Sequence, residues 1–230
     1  MKIKFVSWNV RGLNGESKRA LVRNLLLQWG DDIHVLVETK LTRNDSNLYQ
    51  QIWINRWLGE AHVEAIGRSG GIVVLWDKRV WKGEMVDSGN QMPTCRFEGI
   101  EQELKWHLSA IYADCDRGER RELWWELAAI RSLFEGSWVV CGDFNITGYP
   151  EERTNCQRIN GGMTEFSEWI NDMELVALLY LEGLTLGEGV KIMMRGTIST
   201  HQTISDAKTG IRPQPHHAYM WRYGFQEVII

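Results

Sequence analysis

Ser137-Trp138-Val139-Val140-Cys141-Gly142-Asp143-Phe144-Asn145 is a short apolar run that breaks at a glycine and then presents a carboxylate and a carboxamide two residues apart. A nearly continuous apolar run of this length suits a strand covered on both faces. Upstream, Ile33 to Val37 repeats the arrangement and is followed directly by Glu38. Lys4 to Val10 is also strand-like, and it carries Asn9 to its end before the turn-rich Arg11-Gly12-Leu13-Asn14-Gly15. Between these strands the period changes. Glu16 to Trp29 puts Leu21, Val22, Leu25, Leu26 and Trp29 on one helical face and stops at Gly30, and Arg117 to Phe134 does the same through Leu123, Leu127, Ile130 and Phe134. Buried strands separated by amphipathic helices indicate an α/β fold.

The remaining chain fills in around that frame. A helix is expected over Ser46 to Trp57, and short strands over Gly71 to Trp76, Gly83 to Val86, Cys95 to Gly99 and Leu104 to Tyr112, spaced like an antiparallel meander. A last helix, Thr164 to about Leu178, follows a Gly161-Gly162 break, with Thr164 as its N-cap. Beyond Leu181 neither period is sustained. The chain therefore divides into a domain over residues 1–180 and a poorly specified tail over 181–230, with room for an isolated strand or two.

Composition narrows the class without naming a substrate. With 230 residues, 43% hydrophobic and 24% charged, the chain has the proportions of one globular α/β domain, and no apolar run is long enough to cross a bilayer. The N-terminal lysines meet Ser7 and Asn9 before a signal peptide could form, so an intracellular location is expected. The four widely spaced cysteines contain no zinc pattern and fit a reducing compartment. A net charge of -4 argues against attachment to nucleic acid by bulk positive charge, leaving only a local basic groove. Twelve tryptophans are many, but Trp8, Trp106, Trp124, Trp138 and Trp169 lie within periodic patterns, so burial accounts for them.

Four strands thus end in Asn9, Glu38, Tyr112 and Asp143-Phe144-Asn145, and strand ends are where sheet enzymes gather their ligands. Each group suits phosphodiester hydrolysis. Magnesium, or manganese in its place, takes oxygen ligands and commonly one or two carboxylates, which fits Glu38 with help from Asn9. Asp143 could accept a proton from the attacking water or orient it. Asn145 could hold the same water or a phosphate oxygen, and Tyr112 could donate its hydroxyl to the phosphate.

Five blocks carry a resemblance: Ser7-Trp8-Asn9-Val10-Arg11-Gly12-Leu13, Val37-Glu38-Thr39-Lys40, Gly70-Gly71-Ile72-Val73-Val74, Ile111-Tyr112-Ala113 and Gly142-Asp143-Phe144-Asn145. In this order they resemble the endonuclease/exonuclease/phosphatase superfamily, and their wording is most similar to endonuclease domains of plant non-LTR (LINE-type) retrotransposons. The resemblance covers about residues 3 to 180. It implies a four-layer α/β sandwich, two mixed sheets packed face to face with helices outside, that cuts DNA with Mg²⁺ in the nucleus. It also places Asn9 and Glu38 at the metal, Tyr112 at the phosphate, and Asp143 with Asn145 at the nucleophilic water. The family's later Ser-Arg-Ile-Asp and Ser-Asp-His blocks are missing. Ser205-Asp206-Ala207 has alanine where the histidine belongs, and His201, His216 and His217 lie in no matching context. The second half of the fold is therefore expected to be incomplete and the activity weak or lost. A phosphatase or phosphodiesterase of the same superfamily, or a non-catalytic nucleic-acid-binding remnant, remain as alternatives.

Every one of these residues also has a structural reading. Asn9 also suits the cap of a turn, Glu38 a solvated strand end, and Tyr112 continues an apolar face and suits the core. Cys141 reads as a small buried residue and not a nucleophile, and His216-His217 as a solvated loop. Arg11, Lys40, Arg153 and Arg158 fall near strand-end loops, where they could line a DNA groove or be scattered surface charge.

Overall fold

The computed structural model describes residues 2–43, 45–53, 55–67, 69–89, 91–101, 103–148, 150 and 157–175, with the backbone of three further strand segments at 177–178, 194–199 and 228–229. In chain order the elements are β1 (Lys2–Asn9), α1 (Glu16–Trp29), β2 (Ile33–Val37), α2 (Ser46–Ile52), β3 (Leu58–Ile66), β4 (Ser69–Asp77), β5 (Trp81–Asp87), β6 (Thr94–Gly99), β7 (Lys105–Tyr112), α3 (Arg117–Arg131), β8 (Ser137–Asp143), α4 (Gly161–Asp172), β9 (Ala177–Leu178), β10 (Met194–Ser199) and β11 (Val228–Ile229).

They form two mixed sheets, ordered β10-β1-β2-β4-β3 and β5-β6-β7-β8-β11-β9. Period-two alternation sorts the side chains into layers. Ile3 and Phe5 of β1, Val35 and Val37 of β2, Trp106, Leu108 and Ala110 of β7, and Val139 and Cys141 of β8 share one buried cluster between the sheets. The intervening residues face outward to helices. Val6, Trp8 and Leu36 pack with α1 and α2, whereas Ile111, Trp138 and Val140 pack with α3 and α4. The result is the expected four-layer α/β sandwich. Tryptophan follows the same logic, since Trp8, Trp81 and Trp106 are among the largest fully buried side chains while Trp125 is exposed.

The structure corrects several local expectations. Gly71 to Trp76 is not the first strand of the meander, because β4 pairs with β2 and β3 in the other sheet. The helix expected to reach Trp57 stops at Ile52, and β3 follows it in a stretch where no strand was expected. Its buried positions include Gly59, Ala61 and Ala65, and Gly59 is small because the Trp76 ring lies over it: a Cβ there would come within 2.1 Å of Trp76 Cε2. The Gly161-Gly162 pair opens α4 instead of breaking before it, and the cap is Asn160, whose side chain accepts from the Met163 N–H. Thr164 already lies inside the helix. In the tail, β10 adds antiparallel to β1, and β11 joins β8 and β9. Among the described residues no helix is long and apolar enough to cross a membrane.

Candidate active site

Parallel pairing brings the strand ends together. β1 runs beside β2 with Asn9 opposite Val37, and β7 runs beside β8 with Tyr112 opposite Asp143. Asn9 has the parity of Ile3 and Phe5, Asp143 that of Val139 and Cys141, and Tyr112 that of Leu108 and Ala110, so all three belong to the face between the sheets. Across that gap the Asn9 Nδ2 donates to Asp143 Oδ2 at 2.8 Å. The Asn9 carboxamide oxygen accepts from the Arg11 N–H at 3.1 Å. One donor facing a carboxylate and one acceptor facing an N–H fix the orientation of this amide.

Glu38 arrives by a different route. Simple alternation would send it toward the helices with Leu36, but its φ of 56° is left-handed, as is that of Lys40 at 58°. The segment is locked in place: Thr39 N–H donates to Gly71 O at 3.0 Å, Lys40 N–H to Gly70 O at 3.1 Å, and Leu13 N–H to Thr39 O at 2.8 Å. Lys40 Nζ lies 3.0 Å from Glu38 Oε1. On the other sheet Gly142, at φ 141°, lies so close to β7 that a Cβ would meet Ile111 O at 1.9 Å. That approach places Asp143 opposite Tyr112 and explains the glycine in the Gly-Asp-Phe-Asn block. Asn145, at φ 48°, gives its N–H to Asp143 Oδ1 at 3.1 Å and its Nδ2 to Ala113 O at 2.6 Å.

The locus is electronegative. Burial, then the Glu38 and Asp143 carboxylates, push the Tyr112 hydroxyl up to about 12, so it is a proton donor at any ordinary pH. Burial likewise raises the Cys141 thiol to about 12, which keeps it protonated and a poor nucleophile. The donor set fits a hard divalent cation. Two carboxylates act on the same Tyr112 hydroxyl, and the Asn9 oxygen has a second lone pair beyond the one used by Arg11. Among the described residues no group of three or more His, Cys, Asp and Glu side chains could hold a metal.

Asn9, Glu38, Lys40, Tyr112, Asp143 and Asn145 are thus brought to one end of the sandwich. Arg11 is exposed there and serves the site through its backbone. Arg158 is exposed two residues before the Asn160 cap. Arg153 and the Ser205-Asp206-Ala207, His201, His216 and His217 positions lie outside the described residues. One neighbour was missed in the sequence. Arg120 shares helical spacing with Trp124 and Leu127, the buried face of α3, so an inward-facing guanidinium was legible there.

Comparison with known proteins agrees with this fold. The pattern of the Endonuclease/Exonuclease/phosphatase family matches residues 6–164. Among solved structures, the AP endonuclease LMAP from Leishmania major is 14% identical with a TM-score of 0.58, covering 76% of this chain and 68% of that one. The endonuclease domain of TRAS1, a telomere-specific non-LTR retrotransposon, is 9% identical with a TM-score of 0.57, covering 79% and 77%. The human Nocturnin catalytic domain is 13% identical with a TM-score of 0.55, covering 99% and 81%. These identities speak for the fold. No curated protein matches the sequence.

Proposed function

Since the chain belongs to the Endonuclease/Exonuclease/phosphatase family, we propose that it is a retrotransposon-type, metal-dependent hydrolase of DNA phosphodiesters, of the LINE kind and impaired by its divergent C-terminal segment. The observation that carries this reading is the Asn9 to Asp143 hydrogen bond, which joins the strand ends of both sheets beside Tyr112 and Glu38. Glu38, with the Asn9 oxygen, would hold Mg²⁺ or Mn²⁺. Bound there, the ion would offset charge on the phosphate and on the leaving oxygen. Tyr112 donates its hydroxyl to a phosphate oxygen. Asp143, held by Asn9 and by the Asn145 N–H, accepts the proton of the attacking water or orients it. The Asn145 amide is spent on Ala113, which leaves its oxygen to accept from the same water. The missing late blocks would remove transition-state contacts worth ~10²–10³ in rate. A DNA substrate would place the chain in the nucleus.

Supercoiled plasmid with Mg²⁺, with EDTA, and with Asp143→Ala or Glu38→Ala tests this directly. Slow nicking that disappears with EDTA and with either substitution is expected. Hydrolysis of small phosphate esters without nicking would make the chain a phosphatase of the same family. DNA binding with no turnover, indifferent to both substitutions, would make it a non-catalytic remnant.

A further inference from the structure

Next to the strand ends lies a cleft of about 390 Å³, walled by Cys115, Arg117, Arg120, Asn145, Asn160 and Gly161. Arg120 is only 9% exposed. Its Nη1 donates to Asp114 O at 3.1 Å and to Cys115 O at 2.6 Å, while Nε and Nη2 have no hydrogen-bond partner among the described residues. Neither nitrogen is among the buried polar atoms that lack a partner, so both open to the cleft, where a guanidinium can bond an acceptor. The nearby carboxylates are engaged elsewhere. Asp116 accepts from the Gly118 and Glu119 N–H groups at 2.7 and 3.1 Å. Glu165 accepts from Arg117 Nε at 2.8 Å and Nη2 at 2.7 Å, and from Arg121 as well.

The start of α4 faces the same space. Asn160 caps the Met163 N–H at 3.0 Å, which leaves the Gly161 and Gly162 N–H groups without a partner among the described residues. Neither residue has a side chain to cover them. A Cβ on Gly161 would sit 2.9 Å from Arg117 Nη2, and one on Gly162 3.7 Å from Arg120 Nη2. Helix N–H groups, the positive end of the helix dipole and a planar guanidinium together form an oxyanion site. We propose that this cleft takes a second, non-scissile phosphate of a polynucleotide backbone, with Arg120 and the α4 N-terminus holding it while Asn145 forms the wall shared with the reaction centre.

This rests on the phosphodiesterase reading and adds a requirement to it. The substrate must continue past the cut, and a lone phosphate ester leaves Arg120 unmet. Phosphate contacts of this sort set register on the strand and carry no sequence information. Binding of labelled DNA duplexes by the whole chain, followed by anisotropy across a salt series in EDTA, provides the test. Arg120→Gln is expected to weaken binding about tenfold for every sequence and to lower the slope of log K against log salt by about 1. Gly161→Ala, which fills the cleft without removing charge, is expected to weaken binding too, and it decides the matter should Arg120→Gln fail to melt cooperatively. Wild-type affinity and slope in a folded Gly161→Ala variant, with the same result for a folded Arg120→Gln, would overturn the proposal. So would inorganic phosphate that raises the melting temperature through Arg120 while DNA affinity ignores that residue. Because EDTA suppresses turnover, a chain that binds through Arg120 but never nicks would sink only the catalytic reading. A chain that nicks but binds independently of Arg120 would sink only this one.

Discussion

Replacing Asn9 probes the contact that holds the two halves of the site together. The side chain is 4% exposed, and it makes one charge-assisted hydrogen bond to Asp143 at 2.8 Å and one neutral bond from the Arg11 N–H at 3.1 Å. The first is worth ~1.5–3 kcal/mol and the second ~0.5–1.5 kcal/mol. Asp143 is partly exposed and can recover some hydration, so Asn9→Ala should cost about 2–3 kcal/mol at neutral pH. Asn9→Asp is the sharper variant. It keeps an acceptor for Arg11 but sets a carboxylate against a carboxylate, and one of the two must then hold a proton. The folded pKa of that group rises above its unfolded value. Stability is therefore greatest at low pH and is lost as pH rises from the unfolded carboxylate pKa through the raised folded one. Urea unfolding from pH 4 to 8, followed by tryptophan fluorescence, should show Asn9→Asp losing stability against wild type as pH rises while Asn9→Ala stays a constant distance below it. An Asn9→Asp protein whose deficit is flat with pH, or that matches wild type at pH 7, would refute the inter-sheet bond and the site built on it.

Two further perturbations act on the buried positions Gly142 and His34. Gly142→Ala puts a methyl against the Ile111 carbonyl and demands a φ that L residues avoid, so it should cost over ~3 kcal/mol and leave little folded protein by circular dichroism. His34 is fully buried against Trp53, and burial lowers it to about 3. The unfolded chain then binds a proton that the folded chain refuses, and stability falls as pH drops below about 6.5, by ~1.4 kcal/mol per unit. His34→Phe should flatten that acid limb in urea titrations between pH 6.5 and 4, and an unchanged limb would show that His34 is not its source.

What could be read in the sequence was whatever obeys a period. The strands carrying Asn9, Tyr112 and Asp143 are apolar enough to locate, and parity alone puts all three side chains on the face between the sheets. Glu38 was legible as a strand end but not in its direction, because a left-handed backbone at one residue overrides alternation and depends on Gly70 and Gly71, far away in sequence. β3 escaped because its buried positions Gly59, Ala61 and Ala65 are small, Gly59 to fit beneath Trp76, and such residues leave little hydrophobic trace. The sheet to which β4 belongs was hidden for a related reason. Neighbouring strands in sequence usually pair, and nothing local reports that Ile72 sits opposite Val37 instead.

The same alternation explains why the site lies where it does. Along the inner face of β1 the side chains run Ile3, Phe5, Ser7, Asn9; along β7, Trp106, Leu108, Ala110, Tyr112; along β8, Val139, Cys141, Asp143. At one end the gap between the sheets is filled by large apolar groups that stay dry. At the next layer the groups shrink to Ser7, Ala110 and Cys141, which are still wholly buried. At the last layer they become an amide, a phenol and a carboxylate, polar groups that buried surroundings tolerate only when hydrogen-bonded or charge-matched. A dry core therefore grades into a polar mouth along three strands of the two facing sheets. The rigidity of the first layers is what lets the last one hold the Asn9 amide 2.8 Å from the Asp143 carboxylate across the gap between the sheets.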